Sequence, residues 1–324
     1  MAAYSSHFAD SGDINWLPYL MYFHPESYSS TVVNTDSYGF RFGQARGVRY
    51  SATECADLGP VRLLVGSSTV FGIGATVDGH TLASRLTERD PTDEFWINFG
   101  GRSFNSTQEL ILFTLHRHLL PSIKEIVLFS GFNDLGLARL PANLRKQHGG
   151  FFNCRDFYSA MGAFATSRQS SWLKSWSGGG DNEGRVPGMS EQFEYARRCT
   201  MRNLAIWRIL AAAHEAKLVY VLQPLATWVR PKGTPEEELL FAELDQRGRF
   251  SEIYGDILAR ENYLQYAGQL RRDIEALGVP FIDFAAVMSA TATQDDWLFV
   301  DRIHFTDHGN DLAARSLLTV LKEA

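Results

Sequence analysis

The sequence predicts a doubly wound α/β domain, in which a parallel sheet of five strands carries helices on both faces. Short apolar runs rich in β-branched or aromatic residues recur along the chain, and each ends near Gly, Asn, Pro or Asp. Segments with helical periodicity follow four of the five runs. This alternation is typical of a parallel sheet covered on both faces. The runs are VRLLVG from Val61, FWINFG from Phe95, EIVLFSGFN from Glu125, KLVYVLQP from Lys217 and VPFIDF from Val279.

Four segments with apolar residues at spacings of three and four predict the longer helices. Ser106 and Glu109 have the spacing of a capping box, so the second of these helices is predicted to begin near Ser106. Gly278 is expected to end the last of them. The segments are TLASRLTERD from Thr81, STQELILFTLHRHL from Ser106, SEQFEYARRCTMRNLAIWRILAAAHEA from Ser190 and DILARENYLQYAGQLRRDIEALG from Asp256.

The regular alternation begins at Val61, which divides the chain into an N-terminal arm, 1–60, and a main domain, 61–324. The arm is aromatic and lacks helical periodicity, and we expect it to pack on the main domain; the alternative is that part of it overhangs a substrate pocket. An insertion at about 141–190 interrupts the alternation, and its Gly- and Ser-rich part, Ser177–Gly188, is expected to be flexible. Aromatic residues beside it are candidates for a pocket wall, the alternative being a solvated surface insertion: Phe151, Phe152, Phe157 and Tyr158.

Composition excludes several classes of protein. Of the 324 residues, 45% are hydrophobic and 21% are charged, which is ordinary for a globular chain. The net charge of −6 and the absence of a basic block argue against a nucleic-acid partner. Cys55, Cys154 and Cys199 show no zinc-binding spacing and are expected to be reduced thiols. Neither a secretory signal nor an apolar run near the ~20 residues of a membrane span is visible, so the expected location is cytoplasmic.

The stretch VRLLVGSSTVFGIG ends a predicted strand in two adjacent serines, Ser67 and Ser68, with glycines on both sides. An ordinary β-to-α turn has this composition. The other interpretation is a nucleophile at the carboxyl edge of the sheet, where ligands bind in doubly wound domains. The glycines would then let a substrate carbonyl approach the hydroxyl. Local sequence neither separates the two interpretations nor chooses between the serines.

A carboxylate and an imidazole precede the last predicted helix, where Asp301 and His304 lie three residues apart in DRIHFTDHGND. On a turn, this spacing brings the side chains together, so that the acid fixes the tautomer of the ring and stabilises its protonated form. An ordinary surface histidine near a helix start is the alternative. His308 is a rival base, but only Asp307 is adjacent to it, and neighbours along a helix do not face each other.

Two further strand ends offer hydrogen-bond donors. Asn133 follows the run that ends in LFSG, where its amide can bind a developing oxyanion; an Asx turn is the alternative. Asp134 beside it is expected to cap the next segment. The second predicted strand ends at Asn98, and N–H groups of the Gly-rich turn after it can supply another donor. Arg102 in this turn is expected to be an exposed residue in a surface ion pair, the alternative being contact with substrate.

In this order, the blocks GSSTVFGIG, INFGGRS, GFND and DRIH resemble those of the SGNH/GDSL hydrolase family. The resemblance implies that Ser68 is the nucleophile and His304 the general base. It also implies that Asp301 orients His304 and that Asn133 is the oxyanion asparagine. The first block of the family usually reads Gly-Asp-Ser, so Ser67 stands where the family has an acid outside the chemistry.

The resemblance covers most of 61–324 and implies a flavodoxin-like, five-stranded, three-layer α/β/α architecture. The second block departs from the family pattern, because the position of the oxyanion glycine falls on Ser103. A serine N–H can replace a glycine N–H where the backbone dihedral angles suit a Cβ, and Gly101 is the alternative donor. The implied oxyanion hole consists of the N–H groups of Ser68 and Ser103 and the side chain of Asn133.

The resemblance implies a serine-dependent hydrolase, an esterase or acetylesterase that cleaves an acyl ester of a small molecule or sugar. The alternatives are a thioesterase or acyltransferase acting on a carrier- or CoA-bound acyl group, and a binding module of the same fold without turnover. No cofactor, metal, nucleic-acid or membrane partner is expected. The chain contains no Gly-x-Ser-x-Gly, and the GSSTVFGIG loop is neither GxGxxG nor GxxxxGK[ST]. His116 and His118 lie on a helical pattern typical of surface residues.

Overall fold

The computed structural model describes residues 15–17, 19–140, 145, 186–248 and 250–324. Most of the predicted insertion therefore lies outside the described residues. The expectations that concern Cys154, the four aromatic residues Phe151, Phe152, Phe157 and Tyr158, and most of Ser177–Gly188 fall in that part of the chain.

Two short antiparallel hairpins lie in the arm, ahead of the central sheet. In the first, β1 (Asn15–Leu17) pairs with β2 (Met21–Phe23), and in the second, β3 (Gly43–Ala45) pairs with β4 (Val48–Tyr50). No regular element was predicted here, because strands of three residues are too short to show a period.

The central sheet consists of five parallel strands, which confirms the predicted fold class. The strands are β5 (Val61–Gly66), β6 (Phe95–Gly100), β7 (Ile123–Ser130), β8 (Lys217–Leu222) and β9 (Phe281–Asp283). Along the sheet their order is β6-β5-β7-β8-β9, the flavodoxin-like arrangement. Leu63 of β5 lies beside Ile97 of β6 on one side and Ile126 of β7 on the other. These strands are apolar on both faces because helices cover both.

Helices form the two outer layers. The helices are α1 (Ser68–Phe71), α2 (Leu82–Arg89), α3 (Ser106–His116), α4 (Phe132–Ala138), α5 (Met189–Ala213), α6 (Ala226–Val229), α7 (Pro235–Gly248), α8 (Phe250–Leu258), α9 (Arg260–Ala276), α10 (Phe284–Thr291) and α11 (Asp307–Leu321). One group packs α2 and α10 against α11, and the other packs α3 and α9 against α5. Short 3-10 turns occur at Ala56–Leu58, Asp78–His80 and Arg117–Leu119.

α3 begins at Ser106, as predicted, but its capping box is formed by other residues than those predicted. Its N-cap is Asn105, whose side chain accepts the N–H groups of Thr107 and Gln108, and Gln108 completes the capping box. Asn105 is extended, with φ −99° and ψ 174°, as an N-cap residue should be. The predicted pair Ser106 and Glu109 is therefore shifted by one residue, because an amide side chain caps as well as a hydroxyl does.

The last of the four helices predicted from periodicity, α9, starts later than predicted. Residues from Asp256 belong to α8, which ends at Leu258, and Ala259 breaks the helix with an extended ψ of 132°. At its other end, Gly278 follows the helix in the left-handed region with φ +71°, as predicted for a helix stop.

Side chains of the arm belong to the same hydrophobic core as the sheet. Tyr22 and Phe23 contact Phe104, with ring centroids 5.8 and 5.9 Å apart. Phe40 contacts Phe99 of β6 at 4.8 Å. All of them are buried. The arm therefore covers the edge of the sheet at β6 and the turn that follows it.

Within the described residues, no helix has both the length and the apolarity required to cross a membrane.

Candidate active site

The two serines lie at the carboxyl edge of the sheet, where β5 ends at Gly66 and α1 begins at Ser68. Ser67, between Gly66 and Ser68, has an extended backbone with φ −94° and ψ −150°. A Cβ on Gly66 would lie 2.3 Å from the carbonyl oxygen of Phe129 in β7, so only glycine fits there. The turn is tight, and Ser68 becomes the first residue of a helix, where the backbone N–H has no intrahelical partner.

Two further glycines of this stretch adopt backbone conformations that favour glycine. Gly72 and Gly74 have φ of +95° and +93°, in the left-handed region that favours glycine. A Cβ on Gly74 would lie 2.3 Å from the carbonyl oxygen of Phe305. Gly72 thus ends α1, and Gly74 lets the chain pass directly beside the residue that follows His304.

Ser68, His304 and Asp301 form a continuous chain of hydrogen bonds. Oγ of Ser68 lies 2.8 Å from Nε2 of His304, and Nδ1 of the same ring lies 2.7 Å from Oδ2 of Asp301. Because a carboxylate can only accept, Nδ1 carries the ring proton. Nε2 is then free to accept the hydroxyl proton of Ser68.

The carboxylate of Asp301 is oriented by its own turn. Its Oδ1 accepts the backbone N–H groups of Ile303 and His304, both at 2.7 Å. Burial alone would raise the pKa of Asp301, but the His304 ring and these N–H groups outweigh it and hold the pKa below its ordinary value. Asp301 therefore stays ionised at neutral pH.

His308, the rival base, contacts a different carboxylate. Its Nε2 lies 2.6 Å from Oδ1 of Asp296, which the sequence analysis had not paired with it. Backbone N–H donation from Thr293, aided by His308, lowers the pKa of Asp296 to about 2. Asp307, the neighbour considered from the sequence, instead accepts from the backbone N–H of Thr76 at 2.9 Å.

The turn after β6 contains three backbone N–H groups that could bind an oxyanion, and two of them are occupied. Gly101 donates to the carbonyl oxygen of Gly66 at 3.0 Å, and Arg102 donates to Nε2 of His24 at 3.1 Å. Ser103 has φ +57°, a left-handed conformation that a serine adopts at some cost. In the described part of the chain, the N–H groups of Ser103 and Ser68 have no hydrogen-bond acceptor.

Asn133 lies in the first turn of α4, and its Nδ2 donates one hydrogen to the carbonyl oxygen of Phe104 at 2.7 Å. An amide nitrogen carries two hydrogens, so a second donor remains. This contact joins Asn133 to the residue after Ser103. The side chain and the turn are thereby held in one arrangement.

The burial of Arg102 and the contacts of Asp134 differ from what the sequence predicts. Arg102 is buried rather than exposed, because the arm covers the turn. Asp134 does not cap a later segment but lies in the first turn of α4, where Oδ1 accepts from Oγ of Ser106 at 3.0 Å and Oδ2 from Oγ1 of Thr200 at 3.1 Å. Burial raises the pKa of Asp134 to about 6. Asp134 therefore connects α4 to α3 and α5.

A second buried carboxylate lies close to this one. Glu109 accepts from Oγ of Ser130 at 2.8 Å. Burial, together with the charge of Asp134, raises the pKa of Glu109 well above its ordinary value. A protonated acid is therefore expected behind the strand end that leads to Asn133.

The sequence analysis missed three residues that support the nucleophile turn. Nδ2 of Asn98 donates to the carbonyl oxygen of Val70 at 2.9 Å. Asn98 lies inside β6, because this strand continues to Gly100 rather than ending at Asn98. Gln223 accepts from Oγ of Ser67 at 3.1 Å. The third, Arg41, donates to the carbonyl oxygen that ends α1 at 2.7 Å. An amide inside an apolar strand was a usable signal for Asn98; Arg41 offered none, because it lies in the irregular arm.

Another missed residue, Glu237 of α7, supports the segment ahead of Asp301. Its Oε1 accepts the N–H groups of Leu298 and Phe299 at 2.8 and 2.9 Å. Its Oε2 accepts from the guanidinium of Arg230 at 2.7 Å, and both side chains are buried. The segment ahead of Asp301 is thus held by an ion pair from outside it.

Two further histidines considered from the sequence, His116 and His118, lie at the end of α3 and in the 3-10 turn that follows it. His118 is exposed, as predicted, whereas His116 is half-buried with its ring 5.2 Å from that of Phe40. Over the described ranges, no group of three His, Cys, Asp or Glu side chains is placed to hold a metal ion.

Comparison with known proteins found neither a matching family model nor a matching curated protein. Solved structures of similar fold include a lipase/acylhydrolase from Enterococcus faecalis, with 13% identity, a TM-score of 0.44 and coverage of 82% of this chain and 96% of that one. A carbohydrate acetylesterase family member from Sinorhizobium meliloti shows 14% identity and a TM-score of 0.42, over 82% of this chain and 98% of that one. A GDSL-like lipase from Bacteroides thetaiotaomicron shows 13% identity and a TM-score of 0.42, over 82% and 88%. The chain is similar to these proteins in fold, and the inferences below rest on the geometry of its own residues.

Proposed function

We propose that the protein is a serine hydrolase that cleaves an acyl ester of a small molecule or sugar. The observation that carries the proposal is the chain of contacts from Oγ of Ser68 through the ring of His304 to Asp301, with both distances below 3 Å. A nucleophile, a base and a group that orients the base are the groups with which serine hydrolases transfer an acyl group to water.

The first half of the reaction forms a covalent acyl-enzyme. Nε2 of His304 takes the hydroxyl proton of Ser68 as Oγ attacks the ester carbonyl, and the C=O electron pair moves onto oxygen. Asp301 accepts the Nδ1–H throughout and stabilises the imidazolium, for which its lowered pKa suits it. The tetrahedral intermediate then collapses, and the alcohol leaves with the proton from Nε2.

Three donors are proposed to bind the oxyanion: the N–H groups of Ser68 and Ser103 and the second Nδ2 hydrogen of Asn133. The hydrogen bond from Gly101 to Gly66 at 3.0 Å favours Ser103 over Gly101 as the backbone donor of the turn. Donors that are already oriented and unpaired stabilise a developing charge without reorganisation.

Water completes the cycle. His304 removes a proton from a water molecule, the resulting hydroxide attacks the acyl carbonyl, and the second tetrahedral intermediate is bound by the same donors. The acid leaves and Ser68 recovers its proton from His304.

A fluorophosphonate probe tests the nucleophile. We expect a single covalent adduct on Ser68 of the folded protein, and none in Ser68→Ala. Ser67→Ala is the matched control, since it removes the adjacent hydroxyl and should still be labelled. Folded wild-type protein that forms no adduct would contradict the proposal.

A substrate panel tests the reaction class. Acetyl esters of phenols and sugars, assayed beside acyl thioesters at equal concentration, should be hydrolysed with the higher kcat/KM. Preferential turnover of thioesters would contradict the proposed ester substrate but would leave Ser68 as the proposed nucleophile.

A further inference from the structure

His24 of the arm lies at the back of the turn that carries Ser103. Its side chain is 1% exposed, and its ring lies 3.8 Å from that of Phe71 in α1, centroid to centroid. Nε2 accepts the backbone N–H of Arg102 at 3.1 Å, and Nδ1 lies 3.0 Å from the carbonyl oxygen of Gly39. Both ring nitrogens are therefore committed to backbone groups.

These partners determine the tautomer of the ring. A backbone N–H can only donate and a backbone carbonyl can only accept, so Nε2 is unprotonated and Nδ1 carries the hydrogen. Burial, aided by the charge of Arg102, lowers the pKa of His24 well below its ordinary value. His24 is thus neutral at physiological pH, with one nitrogen always available as acceptor.

The turn is held on both sides of this contact. Gly101, before Arg102, donates to the carbonyl of Gly66 in β5. Phe104, after Ser103, packs against two aromatic rings of the arm and accepts from Asn133. Between these points, the peptide that joins Gly101 to Arg102 is held at both of its polar groups: its N–H donates to His24, and its carbonyl oxygen accepts the N–H of Phe104 at 3.1 Å. The N–H of Ser103 belongs to the following peptide, which is linked to this one through the Cα of Arg102.

We propose that His24 is a positioning residue for oxyanion binding: by accepting the Arg102 N–H, it directs the neighbouring N–H of Ser103 toward the nucleophile. The inference rests on the proposed hydrolase function. It also gives the arm a direct part in the site, because the acceptor, His24, lies within residues 1–60.

Two substitutions distinguish the contribution of the acceptor nitrogen, Nε2 of His24, from that of the rest of the ring. In His24→Asn, the amide nitrogen lies near the former Nδ1 and can still donate to the carbonyl of Gly39, but nothing reaches the Arg102 N–H. In His24→Gln, the longer side chain brings an oxygen to the former Nε2. We expect kcat of His24→Asn to fall tenfold to a hundredfold with KM nearly unchanged. His24→Gln should recover most of it.

Tyr50→Phe is the matched control. It removes a buried hydrogen bond between the arm and Oγ1 of Thr87, 2.7 Å long, that has no contact with the turn. Its kcat should equal that of the wild type even where its melting temperature falls as far as that of His24→Asn. Equal kcat losses in Tyr50→Phe and His24→Asn, or no recovery in His24→Gln, would overturn the proposal.

Amide hydrogen exchange keeps the test independent of turnover. Exchange in a peptide spanning 101–104 should be faster in His24→Asn than in the wild type and Tyr50→Phe, because the Arg102 N–H has lost its acceptor. Unchanged exchange would refute the positioning role whether or not the protein hydrolyses esters. An inactive wild type with faster exchange in the variant would refute the hydrolase function alone.

Discussion

At the scale of single residues, the geometry of the candidate site depends on carboxylates whose contacts differ. Asp301 receives two backbone N–H groups and one imidazole, all within its own turn. Asp296, only five positions earlier, forms a similar hydrogen bond with His308. Among the described residues, no serine forms a hydrogen bond with the other ring nitrogen of His308. A hydrogen bond between His and Asp is thus common to both pairs, and only the first reaches a hydroxyl.

This contrast gives a matched pair of variants. Asp301→Asn should lower kcat by about 10³- to 10⁴-fold, because an amide no longer stabilises the imidazolium or selects the Nδ1–H tautomer. Asp296→Asn should leave kcat within a factor of two or so of the wild type. Steady-state kinetics of both variants, with thermal melts to confirm folding, make the comparison. Comparable losses would mean that Asp301 has no special role.

Asp134 makes stability depend on pH. Burial raises its pKa to about 6 from 3.8, so the folded state holds this proton more tightly than the unfolded state does. The proton on Asp134 makes its full contribution to the free energy of unfolding at pH values below 3.8, the pKa of Asp134 in the unfolded chain. This contribution is lost as the pH rises through about 6. At about 1.4 kcal/mol per pKa unit, the loss amounts to about 3 kcal/mol.

Urea unfolding at pH 5 and pH 8 measures this effect in Asp134→Asn, whose side chain stays neutral. The variant should gain about 1.4 kcal/mol relative to the wild type between the two pH values, because at pH 5 the unfolded chain has already lost most of this proton. Exposed Asp93→Asn serves as control and should show no such shift. A pH-independent gap between Asp134→Asn and the wild type would contradict the expected protonation.

At the scale of elements, α7 holds the segment that precedes the turn of Asp301 and His304. Glu237 is 1% exposed and accepts from two backbone N–H groups of that segment and from Arg230. Arg230 also donates to the carbonyl oxygen of Thr293 at 2.8 Å. Breaking one side of a buried ion pair leaves the other charge without compensation.

We therefore expect Glu237→Gln to lower the free energy of unfolding by about 3 kcal/mol, since Arg230 stays buried without its carboxylate. Glu236→Gln, at the exposed neighbouring position, should change it by no more than about 0.5 kcal/mol. Denaturant unfolding at constant pH compares the two. A loss of similar size in both variants would place the effect on helix α7 in general rather than on the ion pair.

At the scale of the whole molecule, we propose that the arm, 1–60, is part of a single folding unit with 61–324. Four of its aromatic side chains, Tyr22, Phe23, Phe40 and Tyr50, are at most 3% exposed. Burying each contributes about 1.5 to 3 kcal/mol, and the sum is comparable with the roughly 5 to 15 kcal/mol by which a domain is stable.

Deletion of 1–60 tests this proposal. The truncated chain should show no cooperative thermal transition by circular dichroism and no labelling of Ser68 by a fluorophosphonate. Full-length protein with Val48→Ser, a change at an exposed arm position, should melt as the wild type does. A truncated chain that melts cooperatively and is labelled would show the arm to be dispensable.

Patterns that repeat over two to four residues, together with short sequence blocks, predict the succession of strands and helices and the places of Ser68, Asp301 and His304 in it. The folded structure was needed to show that Ser103, unlike Gly101, has an N–H without an acceptor among the described residues. It was also needed to show that Glu237 binds N–H groups ahead of Asp301 and that His24 binds the N–H of Arg102. The burial of Arg102, the place of Asp134 inside α4 and the positive φ of Gly72 and Gly74 likewise became visible only in the folded chain. These features depend on hydrogen bonds and close contacts between residues from distant parts of the chain, such as the 78 positions between His24 and Arg102, and such contacts leave no local periodicity.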